Sequence, residues 1–367
     1  MLHLVHTFSI NNIFFDLINY TFLSFIFFYF YKNKYIEKNK FYTLLIVSLG
    51  PFIINGLLID WWFMPDQAKY FQYSNNLRNF EMQERTKLSV MFPSIIYSFT
   101  PLPFIETIKS IGFINKLLLG ISTIYFYKYK KVNNFFFYFI NLCPSVFIYS
   151  SLSLKDTLSL IYILSLAISF IYYRGYLLNI TLILLYAIIK PVNTCIFIIV
   201  FYFYNLFIVK RFIILNLITL FLTLILFMFY YEILFQYFNK LRLNLFVEAY
   251  TFSENFQKIE LSFIGIITIF KGIINFIISP MQNINSSFKM FQSLENICLY
   301  FLIIYFFLKT LKVNKKAAIF WVISFIFVFI IYGNLFYSDG AIARYRYVLL
   351  LFYAFIFYSE INYAKKN

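Results

Sequence analysis

The sequence predicts an all-α, polytopic helical membrane protein, on two observations. Of its 367 residues, 62% are hydrophobic and only 13% are charged, whereas soluble domains are nearer half apolar and a quarter charged. Apolar runs also recur along almost the whole chain, and about 20 such residues span a bilayer as one helix. The runs that predict the main helices are 12–31, 41–59, 135–150, 158–173, 176–189, 215–231, 294–308, 317–332 and 347–358.

The basic residues predict how these helices are oriented, because short cytoplasmic loops are enriched in Lys and Arg. Placing the basic clusters inside requires about eleven crossings, with the N-terminus outside and the C-terminus cytoplasmic. Only two of the 15 acidic residues, Glu37 and Glu360, then lie inside. This topology accounts for the net charge of +16, so no nucleic-acid partner is predicted. The clusters are Lys32/Lys34/Lys38/Lys40, Lys128/Lys130/Lys131, Arg174, Lys210/Arg211, Lys309/Lys312/Lys315/Lys316 and Lys365/Lys366.

Two further apolar segments are predicted not to cross. Residues 89–105 are interrupted by Pro93, Pro101 and Pro103, which break helical hydrogen bonding. Residues 263–279 carry Lys271 at their middle, where a charge costs a few kcal/mol in lipid. We interpret both as re-entrant or interfacial segments. The alternative is that one of them spans and the charge bias is violated once.

The organisation predicted is one transmembrane domain over residues 1–367, because no repeat of fixed period is visible. External loops are expected near 60–109 and 232–260.

The first group of candidate site residues lies in the loop after the second apolar run. Asp60 and Asp66 are two carboxylates at the membrane surface, where either could serve as a general base. Tyr70 and Arg78 follow in the same segment. The alternative for Asp66 is an ordinary solvated loop charge.

The second group lies in a short turn that reads Ser153-Leu154-Lys155-Asp156. Asp156 could simply cap the helix that follows. Lys155, at a helix N-terminus flanked by hydroxyls, is typical of a place that receives a phosphate. Further on, Pro191 predicts a helix break that holds Lys190 near the outer edge. An ordinary capped turn remains the alternative.

The third group is Arg344 and Arg346, directly before the last apolar run. Arg carries a planar fork of donors suited to phosphate. Two arginines on the outer side also oppose the positive-inside bias.

Several chemistries are excluded by what the sequence lacks. No His/Cys/carboxylate cluster has zinc-ligand spacing, and no nucleophile–His pair is present. There is no Walker-type or dinucleotide glycine loop. We therefore predict no metal, no cofactor and neither ATP-driven transport nor serine- or cysteine-type hydrolysis.

At the three groups of candidate site residues described above, the chain resembles bacterial membrane proteins of surface-polysaccharide assembly. These proteins are O-antigen or capsule repeat-unit polymerases and GT-C-like membrane glycosyltransferases. The order of the pieces fits over most of the chain, although Lys190 stands where such proteins often have Arg. The pieces are Pro65-Asp66-Gln67 with Tyr70, Pro144-Ser145 with Ser150-Ser151 and Lys155-Asp156, Lys190-Pro191, Ser279-Pro280 before Leu294-Glu295-Asn296, and Gly333-Asn334 before Arg344-Tyr345-Arg346.

The resemblance implies a GT-C-like fold in the bacterial inner membrane and extracytoplasmic sugar transfer from a polyprenyl-pyrophosphate donor, most simply repeat-unit polymerisation. Asp66 or Asp60 would deprotonate the acceptor hydroxyl. The substrate-binding residues would be Lys155, Asp156, Lys190, Arg344, Arg346, Tyr70 and Arg78. Its partners would be lipid-linked oligosaccharide donor and acceptor, membrane lipid and other assembly proteins.

Two other classes remain open. One is a flippase of lipid-linked oligosaccharide, although transporters tend to show internal repeats and polar sites near the midplane. The other is a membrane scaffold without catalysis.

Overall fold

The computed structural model describes residues 10–55, 57–59, 64, 66–81, 88–129, 131–173, 175–210, 213–250, 256, 258–260, 262–279 and 287–364. Within this part of the chain the structure is helical and contains no β-strand, which confirms the all-α class. The helices are α1 (Ile10–Lys32), α2 (Lys38–Val47), α3 (Gly50–Ile54), α4 (Asp66–Arg78), α5 (Leu88–Phe99), α6 (Ser110–Lys128), α7 (Asn134–Leu142), α8 (Pro144–Ser151), α9 (Asp156–Ile168), α10 (Tyr176–Ile189), α11 (Pro191–Tyr204), α12 (Ile213–Tyr250), α13 (Phe263–Ile278), α14 (Ser287–Val313), α15 (Lys315–Leu335) and α16 (Asp339–Ala364). Short π-helical turns, Ser169–Tyr173 and Asn205–Val209, extend α9 and α11.

Within the described ranges, six helices are long and apolar enough to cross a membrane. Four shorter apolar helices accompany them: Leu88–Phe99, Leu177–Ile189, Asn193–Val209 and Phe263–Ile278. The chain is therefore a multi-pass helical membrane protein. The six segments are Ile13–Lys32, Ser110–Lys128, Asp156–Tyr173, Lys289–Val313, Lys315–Leu335 and Gly340–Ala364.

Two of the predicted apolar runs are each divided into two helices. Run 41–59 breaks where Gly50 and Pro51 begin α3, and run 135–150 breaks at Pro144. Proline lacks the N–H that would continue the preceding helix. Cys143 accordingly takes an extended ψ of 122°, as expected for a residue before proline.

The proline-containing segment 89–105 differs from its prediction in one respect. Pro93 was expected to interrupt the helix, yet α5 continues through it and ends at Phe99, just before Pro101. The carbonyl that Pro93 leaves without an N–H donor belongs to Ser89, four residues earlier. Lys155 donates to that carbonyl at 2.9 Å, so the hydrogen bond is replaced from outside the helix.

The described chain forms two compact units. The first unit comprises Met1–Ile168 and Ile180–Thr194, and the second comprises Ser169–Asn179 and Cys195–Asn367. The prediction of a single transmembrane domain stays a prediction.

In the first unit, α1 and α6 run side by side in the same direction. The carboxylate of Asp16, near the start of α1, accepts a 2.6 Å hydrogen bond from Thr107, just before α6. The rings of Phe30 and Tyr125, near the two C-terminal ends, have centroids 6.1 Å apart. Beyond these ends, the Lys128 ammonium lies 3.5 Å from the centroid of the Tyr35 ring. One end of this helix pair therefore carries a cluster of basic residues.

In the second unit, α13 packs closely against α15 through two glycines. A Cβ atom built on Gly333 would lie only 2.7 Å from the carbonyl oxygen of Gly272. Lys271, on the same helix as Gly272, is exposed. Residues 263–278 thus form one helix. The interpretation of this segment as re-entrant or interfacial stays a prediction.

Candidate functional site

The turn between α8 and α9, residues 152–155, is held by side chains from distant parts of the first unit; we call it the α8–α9 turn. Asn115, on α6, donates from Nδ2 to the carbonyls of Leu152 at 2.9 Å and of Leu154 at 3.0 Å. The hydroxyl of Tyr97, on α5, also donates to the Leu154 carbonyl at 2.9 Å. These bonds satisfy backbone groups that a turn inside a membrane domain cannot leave exposed to lipid.

A further contact brings two of the predicted motifs together. Gln67, the second residue of α4, accepts a 2.9 Å hydrogen bond at Oε1 from the backbone N–H of Ser153. The same oxygen accepts from Asn55 at 3.1 Å, and both amide side chains are buried. Asp66 directly precedes Gln67, so this carboxylate is tied through the backbone to the α8–α9 turn.

Lys155 lies at the end of the turn and bridges two helices. Its ammonium donates to the carbonyl of Ser89 on α5 and to the carbonyl of Ile189 at the end of α10, both at 2.9 Å. The sequence correctly predicted a helix break at Pro191, because α10 ends at Ile189 and α11 begins at Pro191. Lys155 therefore donates to one carbonyl that lies four residues before Pro93 and to another that lies two residues before Pro191.

Asp156 and Lys190 form a buried ion pair. Their Oδ1 and Nζ atoms are 2.9 Å apart, and the two side chains are 0% and 4% exposed. Next to it, the Tyr186 hydroxyl lies 2.7 Å from Ser159 Oγ and accepts from Asn193 at 2.6 Å. Asp156, the first residue of α9, thus pairs with a cation 34 residues further along the chain.

Lys116 is a functional candidate that the sequence reasoning missed. Its buried ammonium donates to Ser150 Oγ at 2.7 Å and to the Phe147 carbonyl at 2.9 Å. Among the described residues, no carboxylate lies within ion-pair distance of it. The available signal was a lysine inside the apolar stretch that forms α6, since charged residues within a membrane span are costly.

Several buried polar atoms around the turn have no hydrogen-bond partner among the described residues. They are Asn55 Oδ1, Gln67 Nε2, Asn115 Oδ1 and Thr157 Oγ1. Buried polar groups are normally paired, so a cluster of unpaired atoms requires an explanation. These amide and hydroxyl groups are suited to hydrogen bonding with a hydroxyl-rich ligand or with water.

The remaining candidates of the first unit lie on or near α4. Asp66 begins α4, is 44% exposed and pairs with Lys69 at 3.0 Å. Tyr70 is buried, and Arg78 donates to the Thr100 carbonyl at 3.0 Å. Burial lowers the pKa of the Arg78 guanidinium, and the charge of Glu106 opposes that shift. Asp60 and Pro65 lie outside the described residues.

The predicted arginine pair belongs to the second unit. Arg346 is completely buried, and its Nη1 donates to the carbonyls of Phe276 at 2.7 Å and Ile277 at 3.2 Å. These carbonyls belong to the last turn of α13, where a cation is favoured by the helix dipole. Arg344 is half-buried on the same helix, α16. One predicted phosphate ligand thus also caps a helix.

A second buried arginine of this unit was not predicted. Arg242, on α12, donates from Nε to the Asn334 carbonyl at 2.9 Å and from Nη1 to Asn239 at 3.1 Å. Asn334 also lines a largely apolar cavity of about 350 Å³, with Phe235 and Ile330 among its walls. The Gly333-Asn334 motif is therefore an anchor between α12 and α15.

The fold and these contacts define the class as a multi-pass membrane protein with a buried polar cluster. Comparison of the chain with protein-family models, curated proteins and solved structures finds no match.

Proposed function

We propose that the protein transfers a sugar from a polyprenyl-pyrophosphate-linked donor to an acceptor hydroxyl during surface-polysaccharide assembly, most simply as a repeat-unit polymerase of the bacterial inner membrane. The observation that carries the proposal is the bond between Gln67 and Ser153. It attaches the exposed carboxylate of Asp66 to the turn that contains Lys155 and precedes the Asp156–Lys190 pair.

In the proposed reaction the Asp66 carboxylate takes the proton of the acceptor hydroxyl. The acceptor oxygen forms a bond to the anomeric carbon of the donor sugar. The bond from that carbon to the pyrophosphate oxygen breaks, and polyprenyl pyrophosphate leaves. Lys155 and Lys190 of the first unit are assigned to the leaving pyrophosphate. The resemblance assigns Arg344 and Arg346 the same role, and these two are tested separately.

The unpaired amides contribute a second line of support. Asn55, Gln67 and Asn115 surround the α8–α9 turn with buried groups that lack described partners. Amide side chains both donate and accept, and so match the hydroxyl groups of a sugar. An acceptor or donor sugar at this place would satisfy them.

The dimensions of α6 support the sidedness that the proposal needs. Its 19 residues correspond to about 28 Å, close to the thickness of the hydrocarbon core. The α8–α9 turn contacts the chain near the start of α6, through Ile108 and Asn115. Lys128, in a basic cluster expected to be cytoplasmic, is at the other end. The proposed site would therefore face outward.

The test compares Asp66→Asn with Lys69→Met. Both changes break the same exposed ion pair, which contributes about 0–1 kcal/mol to stability, but only the first removes the carboxylate. We expect Asp66→Asn to lower transfer from a synthetic polyprenyl-pyrophosphate oligosaccharide by at least about 100-fold and Lys69→Met to leave it nearly unchanged. Normal transfer by Asp66→Asn would exclude Asp66 as the base.

The arginines are tested separately on surface glycan. Arg344→Ala and Arg346→Ala are expected to abolish polymer while the protein still accumulates in the membrane. Lysine at either position is also expected to impair polymer formation, because a point charge does not reproduce the planar guanidinium fork. Normal polymer from the double alanine variant would remove these arginines from the site.

Lys116 is the observation that favours the alternative, a lipid-linked oligosaccharide flippase. Ionisable residues buried in membrane spans often mark transport pathways. The two functions differ in what remains at the surface when the protein is inactive. Loss of a polymerase leaves single repeat units on display, whereas loss of a flippase removes them too.

A further inference from the structure

A groove in the second unit has features of a lipid site separate from the polar cluster. It has a volume of about 540 Å³ and lies between α11, with its π-helical turn, and the first half of α15. This volume is within the range of cavities that hold a small ligand, about 300–1,000 Å³. We call it the α11–α15 groove.

The walls of the groove are apolar and partly open. Phe203, Phe207, Ile319 and Ile323 are among the lining residues, and Ile323 is 62% exposed. Ser324, a polar residue in the lining, already lies 2.8 Å from the Tyr353 hydroxyl. Since α15 is long and apolar enough to span the bilayer, a hydrocarbon chain is the natural occupant of such a wall.

Among the described residues that line the groove, the charged ones are two lysines. Lys210 ends the π-helical turn with a φ of 54°, and Lys316 is the second residue of α15. Both side chains are exposed, and both line the groove. No carboxylate lines it, and neither ammonium has an ion-pair partner among the described residues.

We propose that the α11–α15 groove binds an anionic glycerophospholipid, with an acyl chain along its apolar wall and the phosphate between Lys210 and Lys316. Charge complementarity selects this occupant, because two cations beside an apolar slot match an amphiphile with a negative head. A zwitterionic lipid would gain the apolar contact but less from the lysines. The proposal is independent of the sugar-transfer function.

The experiment measures lipid selectivity of the full chain in phosphatidylcholine nanodiscs. Spin-labelled phosphatidic acid and spin-labelled phosphatidylcholine are added separately, and the motionally restricted fraction gives their relative association constants. We expect a preference for phosphatidic acid that falls roughly five-fold with each of Lys210→Gln and Lys316→Gln. Ile323→Trp, which narrows the groove at an exposed position, should reduce the binding of both lipids.

The matched control removes two other lysines from equivalent backbone positions. Lys34 has a positive φ of 59°, like Lys210, and Lys38 begins α2 as Lys316 lies in the first turn of α15. Lys34→Gln/Lys38→Gln should keep the preference intact. An equal loss in the control pair, or no preference in the unmodified protein, would overturn the proposal. So would displacement of the lipid by inorganic phosphate at the same concentration, because the site would then recognise phosphate alone.

Discussion

Lys155 supplies the hydrogen bond that Pro93 cannot make. Pro93 lies inside α5 without an N–H, and the Lys155 ammonium donates at 2.9 Å to the carbonyl of Ser89, four residues before the proline. α5 therefore continues through Pro93, because an ammonium 66 residues away from Ser89 replaces the missing N–H donor. The same ammonium holds the end of α10 at Ile189.

This relationship predicts coupling between the two positions. Lys155→Met leaves two carbonyls without their donor and should lower the free energy of unfolding by about 2–6 kcal/mol, at 1–3 kcal/mol for each. In that background Pro93→Ala restores an N–H to Ser89 and should recover about 1–3 kcal/mol. Denaturation in one detergent measures both, with Lys69→Met as the surface control. Additive effects of the two substitutions would contradict the coupling.

The buried ion pair of Asp156 and Lys190 predicts that removing one charge destabilises the protein more than removing both. Asp156→Asn leaves a buried ammonium without its counter-ion and should destabilise the protein by about 3–5 kcal/mol. Asp156→Asn combined with Lys190→Met removes both charges and should recover most of that loss. Thermal unfolding of the three variants tests this. A double variant no more stable than Asp156→Asn would show that the loss does not come from an unpaired charge.

The close approach of α13 and α15 predicts a position-specific effect of alanine. At Gly333 a Cβ would meet the backbone of Gly272, and Gly333→Ala should destabilise by about 1–3 kcal/mol. Gly340 has nothing within 4 Å of its Cβ position, so Gly340→Ala is the control and should be neutral or slightly stabilising. Equal unfolding midpoints for the two variants would exclude tight packing at Gly333.

At the basic end of the first unit, Glu37 predicts a pH dependence. Hydrogen bonds from Lys40 first, and then Tyr127, lower the pKa of the Glu37 carboxyl below its ordinary 4.5. A lowered folded-state pKa gives stabilisation that is complete above 4.5 and disappears as the pH falls through the folded value. The effect should be small, because the side chain is 64% exposed. Unfolding midpoints between pH 6 and pH 3 should therefore decline less in Glu37→Gln, and identical pH profiles would refute the contribution.

Sidedness is the fifth prediction. In a background lacking the exposed thiols of Cys195 and Cys298, single cysteines at Asp66 and Lys128 should label from opposite faces of the membrane. The cysteine at position 66 should react with an impermeant maleimide on intact spheroplasts. The cysteine at position 128 should react only after permeabilisation. Labelling of both from the same face would reject the topology on which the sugar-transfer proposal depends.

The features predicted correctly from the sequence are those set by short-range chemistry. Its apolar runs indicated a multi-pass helical protein, because a bilayer accepts a chain segment only when its backbone is satisfied internally. The break at Pro191 was likewise predicted, since a proline removes the N–H donor that its helix needs. The short turn between α8 and α9 was also predicted.

Only the tertiary structure decided where the buried charges go. Lys155 and Asp156 were predicted as substrate-binding residues, with an ordinary capped turn as the alternative, but their partners were not predicted. They bond to Ser89, Ile189 and Lys190, at separations of 34 to 66 residues. Lys116 was overlooked, and its partner Ser150 is 34 residues away. Periodicity and proline positions act over one helical turn, so they determine the helices. A buried ammonium takes whichever carbonyl or carboxylate the packing brings within about 3 Å, and that choice is absent from any local pattern.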